Sequence, residues 1–113
     1  MRTKTQDELI QLTGLELFGR ALPQDFAVSD MDALVALARK HDLTHLVYDG
    51  LVSSGLDCPD RVAMQQFLAA QWRCEQMAYE LGRIRQLFEE NSIDFIPLKG
   101  AVLRQYYPQP WMR

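Results

Sequence analysis

A mainly helical fold, a bundle with one long helix followed by a short strand, a turn and a further helix, is predicted by three features of this chain. Ala63, Phe67, Ala70, Cys74, Met77, Leu81, Ile84 and Phe88 recur at alternating intervals of four and three residues, which keeps one seam of a helix apolar. Upstream of that seam, apolar residues at helical spacing fall into groups separated by capping residues, glycine or proline. Downstream, Ile93, Phe95 and Ile96 make a short apolar run ahead of Pro97 and a Lys99-Gly100 turn, the pattern of a strand that leads into a helix. The expected division is a helical domain over residues 1–92 and a strand-turn-helix over residues 93–113.

The first helix is expected to open at Thr5-Gln6-Asp7-Glu8, a T-x-x-E capping box in which the Thr hydroxyl and the Glu carboxylate satisfy backbone donors. Leu9, Leu12, Leu15, Leu17, Phe18, Ala21 and Leu22 continue it to the residue before Pro23. A second helix starts at Ser29 with Asp32 three residues on, and buries Met31, Leu34, Val35 and Ala38. It breaks near His41-Asp42. Asp42 or Thr44 caps a third helix through Leu46, Val47, Leu51 and Val52, which Ser53-Ser54-Gly55 ends. Pro59 suits the first turn of the fourth and longest helix, over residues 59–91, because its missing N–H costs nothing there. Asn91-Ser92 stops it. The strand over residues 93–98 is then confined by Pro97 to a sheet edge or a strand end.

With 113 residues, 48% of them apolar and 24% charged, the chain can build one modest globular domain and no second full one. A net charge of −3 argues against a surface that coats nucleic acid. The charge is uneven: residues 95–113 hold Lys99, Arg104 and Arg113 without an acidic group, for +3, while residues 1–94 carry −6. Any anion is therefore expected to bind locally, at the carboxy-terminal end. The amino terminus has no apolar run behind its charges, so neither a signal peptide nor a membrane span is expected and a cytoplasmic location follows. Cys58 and Cys74 lack CxxC spacing and read as free thiols.

Leu98-Lys99-Gly100-Ala101, Leu103, Tyr107-Pro108 and Arg113 carry a resemblance to a family of uncharacterised bacterial nucleotidyltransferase-like proteins, within the polymerase-beta-type superfamily. Ala38-Arg39-Lys40-His41-Asp42-Leu43-Thr44-His45-Leu46-Val47-Tyr48 is similar to a helical segment of the same family. The resemblance implies that residues 93–113 begin a nucleotidyltransferase α/β core, truncated before the Asp-x-Asp strand that follows the family Arg, so no catalytic residue is expected in this chain. It implies Mg²⁺ in the intact parent protein and no cofactor in these 113 residues. It implies a nucleoside triphosphate as ligand, bound weakly or not at all by this part, with Lys99, Gly100 and Arg113 as the phosphate-holding residues. Superfamily members usually place Gly-Ser or Gly-Gly at this turn, so Gly100 keeps the role of close backbone approach and Lys99 substitutes charge for a hydroxyl.

The residues support that assignment to a limited extent by themselves. A Lys-Gly turn opening a helix offers backbone N–H groups and positive charge to a phosphate, although the same turn serves as a plain strand-to-helix connection. His41-Asp42-Leu43-Thr44-His45 is reminiscent of H-E-x-x-H, but Asp is shorter than Glu, no third ligand is evident, and a break at Asp42 sets the rings on different helices. Asp30-Met31-Asp32 stands at a helix start, where capping accounts for both carboxylates. A second function, a non-catalytic interaction module, follows from the long helix over residues 59–91, whose seam would dock a partner or pack the shorter amino-terminal helices; self-association is expected through the strand over residues 93–98 or the seam over residues 67–88. No membrane and no nucleic-acid partner are expected.

Overall fold

The computed structural model describes residues 1–97 and 100–113. Five α-helices follow one another: α1 Lys4–Phe18, α2 Met31–Lys40, α3 Thr44–Ser53, α4 Arg61–Glu90 and the short α5 Gly100–Leu103, with 3₁₀ turns at Arg104–Tyr106 and Pro110–Met112. The mainly helical expectation holds. The strand does not form among the described residues: residues 93–97 are irregular. A single strand with no second one beside it leaves its backbone donors and acceptors without a ladder.

The helix ends show which polar residues were read correctly. α1 starts two residues earlier than expected, with Thr3 as its cap. Thr3 Oγ1 accepts from the Gln6 N–H at 3.2 Å, and Gln6 Oε1 accepts from the Thr3 N–H at 2.9 Å, so the box is Thr3-x-x-Gln6. Glu8 is thereby released for another task, and its buried Oε1 accepts the Ser29 N–H at 2.9 Å. α1 also stops short of Pro23, because Gly19 takes the left-handed conformation (φ 66°) directly after Phe18. In α2 the cap is Asp30, whose Oδ1 accepts the Ala33 N–H at 3.1 Å. The helix over residues 44–53 has Leu43 at its cap position and no side-chain cap, and Thr44 is buried inside it. At α4 the cap is Asp60, whose carboxylate accepts the Ala63 N–H at 2.9 Å.

Three helices close by the same device. Asp42 (φ 56°), Gly55 (φ 80°) and Ser92 (φ 54°) each turn left-handed just after α2, α3 and α4. The next residue then donates back: Leu43 N–H to Ala38 O at 2.8 Å, Leu56 N–H to Leu51 O at 2.9 Å, and Ile93 N–H to Phe88 O at 2.8 Å. This is the Schellman arrangement, with an apolar residue following the left-handed one.

The chain forms two compact units, Met1–Leu68 and Ala69–Arg113, and the division falls inside α4. In the first unit α1, α2 and α3 enclose Leu9, Leu12, Leu34, Val35, Ala38, Val47 and Leu51, and Ala63 from the start of α4 joins this core. Tyr48 and Phe67 meet with ring centroids 5.1 Å apart. The second unit comprises the rest of α4 and the tail. Phe88 and Phe95 pack edge to face at 5.3 Å, Arg85 lies over the Phe95 ring at 5.9 Å, and Met112 is buried. No helix among the described residues is long and apolar enough to cross a membrane.

Leu12 is fully enclosed, and its truncation leaves a cavity that the facing helices cannot fill. Leu12→Ala should lower unfolding stability by about 2–5 kcal/mol, with the midpoint of a urea titration falling and its slope unchanged.

Candidate functional site

The positively charged tail belongs to the second unit. Gly100 opens α5 and Arg113 follows the Pro110–Met112 turn, exposed at the other end of the tail. No ion pair joins Arg113 to an acidic side chain among the described residues. Lys99 lies outside the described residues. Gly100 and Arg113 are thus placed on the same compact unit, while their relation to Lys99 is not part of the description.

Arg104 receives more from the fold than its neighbours do. It begins the 3₁₀ turn that follows α5 and is half-buried, and its Nε is shielded from water without a hydrogen-bond partner. Beside it a cavity of about 460 Å³ opens between the tail and α4. Cys74, Met77, Leu81 and Ile84, all members of the apolar seam, line the α4 side, and Arg104, Gln105 and Pro110 line the other. The only acidic side chain in the lining is Glu80, which pairs with Arg83 one turn along at 3.9 Å. Sequence reading counted Arg104 in the charge of the tail but assigned it no role. Its signal was the spacing of four between Gly100 and Arg104, one helical turn beyond the glycine.

A divalent cation such as Mg²⁺ asks for several oxygen ligands gathered at one point. No group of three or more His, Cys, Asp or Glu side chains is placed to hold a metal ion among the described residues. Asp30 is engaged as a helix cap, and His41 and His45 stand on either side of the left-handed Asp42, one ending α2 and the other inside α3. The residues present do not fit Mg²⁺. Cys58 and Cys74 are free thiols, the first buried and pushed up in pKa by burial, outweighing its hydrogen bond at Asp60.

The tail and the stretch of α4 beside it thus bring a half-buried arginine and apolar side chains together around one cavity. A family model described as an uncharacterised nucleotidyltransferase matches residues 27–113. The chain belongs to that nucleotidyltransferase family. The match begins before α2 and runs through the cavity and the cationic tail. No curated protein and no solved structure matches the chain. The family features quoted from the sequence, residues 38–48 and the tail from Leu98 to Arg113, both lie within the matched span.

One perturbed titratable pair sits away from the tail. Glu16 on α1 faces Asp49 on α3, and its carboxyl is pushed up to about 8 by burial first, then by the hydrogen bond and the negative charge of Asp49. Burial and the neighbouring carboxyl both favour the protonated form of Glu16. Glu16 holds its proton in the folded state between about 4.5 and about 8 and has lost it in the unfolded state. Stability contributed by the pair is therefore full below the lower value and disappears as pH rises through the upper one. Glu16→Gln should flatten this pH dependence and stabilise the fold by about 1–2 kcal/mol at pH 9, after allowing for solvent screening. Thermal melts of both proteins from pH 5 to pH 9 measure it. An unaltered slope would contradict the raised pKa of Glu16.

Proposed function

We propose that residues 1–113 form the amino-terminal, phosphate-holding part of a metal-dependent enzyme that moves a nucleotidyl group from a nucleoside triphosphate to an acceptor. The observation that carries this reading is the family match over residues 27–113, which includes Lys99, Gly100 and Arg113. In this reading Gly100 leaves room for a phosphate against the backbone, Lys99 supplies a point charge, and Arg113 takes a further phosphate oxygen. Mg²⁺ would be held by carboxylates outside these residues, and residues 93–98 would become a strand only when paired with the chain that bears them. The free thiols suit a cytoplasmic setting.

Two measurements on residues 1–113 test this proposal. Pyrophosphate release from nucleoside triphosphates with Mg²⁺ should be absent, since no carboxylate cluster stands ready among the described residues. A triphosphate should still bind weakly, with Lys99→Ala reducing affinity by about tenfold, the worth of one charge-assisted hydrogen bond. Gly100→Val should reduce it further. Titration calorimetry giving equal affinities for wild type and both variants would remove the phosphate turn.

A second reading, a non-catalytic helical interaction module, is favoured by the far face of α4. Trp72, Tyr79 and Leu87 are 62%, 63% and 52% exposed, and helical geometry sets them on one side, roughly opposite the seam that lines the cavity. Arg83 lies over the Tyr79 ring at 6.0 Å. These side chains stand among Gln76, Arg83 and Gln86 on the same side, a mixed aromatic and polar face open to a partner. Sedimentation velocity should show weak concentration-dependent association that Trp72→Glu abolishes, while a monomer at all concentrations would speak against self-association.

A further inference from the structure

The cavity beside Arg104 is a binding site of a different kind from the phosphate turn. Its volume of about 460 Å³ falls within the range of small-molecule sites, roughly 300–1,000 Å³. Its floor is made by Met77, Leu81 and Ile84 on one face of α4, with Cys74 and Ala78 beside them. Over this floor stands one cation, Arg104, with a buried Nε that nothing satisfies. An unsatisfied buried donor costs about 1–3 kcal/mol, more when charged, so a ligand that supplied an acceptor there would recover that cost. Glu80, the one acidic group in the lining, is compensated by Arg83. The site therefore asks for an apolar body that ends in an anionic oxygen.

We propose that this cavity binds a small amphiphilic anion, its hydrocarbon part on the α4 seam and its carboxylate or phosphate headgroup on the Arg104 guanidinium. The recognition is complementary in both halves. Apolar lining rejects nucleotides and inorganic anions, and the guanidinium rejects neutral or cationic amphiphiles. The site rests on Arg104 and the α4 side chains alone, so it does not depend on whether Lys99 and Gly100 hold a triphosphate.

Decanoate, decyl phosphate and decanol, each below its aggregation concentration, are the probes. Calorimetric titration of the 113-residue chain should give saturable binding of one molecule per chain, with at least one of the two anions binding tenfold or more tighter than decanol. The tighter anion identifies the headgroup. Arg104→Met should erase the advantage over decanol, Arg104→Lys should keep part of it, and Ala78→Trp should block all three ligands by filling the cavity. Because Cys74 lines the cavity, its alkylation rate, read by peptide mass spectrometry, should fall as the favoured anion saturates the wild type. Circular dichroism confirms that each variant keeps its helices. Equal binding of decanol and both anions, an advantage that survives Arg104→Met, or alkylation of Cys74 untouched at saturation would overturn the proposal. So would the finding that these side chains are covered by a second copy of the chain.

Discussion

Gly50 permits the contact on which the first unit depends. A Cβ at this position would lie 3.3 Å from Leu12 Cδ2, closer than ordinary van der Waals packing, and in contact with Glu16 Cγ at 3.5 Å. Its absence lets α1 settle on α3 tightly enough to remove Leu12 from water completely. Full burial of a side chain of this size contributes about 1.5–3 kcal/mol, and Leu34 and Leu51 are enclosed to the same degree in the same core. The close approach has a consequence one turn away. It takes Glu16 partly out of water and brings it near Asp49, so the packing that stabilises the core also pushes a carboxyl pKa up. Hydrophobic enclosure and the raised pKa are one event seen in two side chains.

The helices were legible because their ends are written in residues with specific backbone preferences. His41-Asp42-Leu43, Ser54-Gly55-Leu56 and Asn91-Ser92-Ile93 share one logic: a polar residue, a residue able to turn left-handed, and an apolar residue that caps the turn. Each was read as a helix stop. The starts were harder. Thr3 and Thr5 both precede a residue able to complete a capping box three positions on, Gln6 and Glu8. Local pattern cannot choose between them. The choice is made 21 residues away, by the Ser29 N–H that takes Glu8 Oε1. Capping is a local rule, and burial of a carboxylate against a distant loop is not.

The strand does not form among the described residues for a related reason. Ile93, Phe95 and Ile96 have the composition of a strand, but a strand is a relation between two segments, and apolar alternation states only half of it. Within residues 93–97 the described chain instead spends Ile93 on the end of α4 and Phe95 on Phe88 and Arg85. The candidate phosphate residues were legible only as chemistry, a cationic tail without acidic groups; the family match spans them without assigning them a role. Arg104 was visible only as charge. Its distinguishing property, a buried and unsatisfied Nε, arises from what packs around it.

The alternating seam of α4 illustrates how far periodicity reaches. The spacing of four and three runs unbroken from Ala63 to Phe88, as it would in a helix with a single partner along its length. In the first unit Ala63 closes the three-helix core and Phe67 meets Tyr48. In the second, Cys74, Met77, Leu81 and Ile84 line a cavity under a cation. Periodicity establishes that a face is apolar, because the spacing keeps those side chains on one side of the helix. It says nothing of what covers that face. Small residues at positions 63 and 70 allow close approach at the start of the seam, whereas Met77 and Ile84 remain 49% and 44% exposed further along. An apolar surface left partly open beside a buried Nε without an acceptor has two separate needs, and the proposed amphiphilic anion would meet both at once.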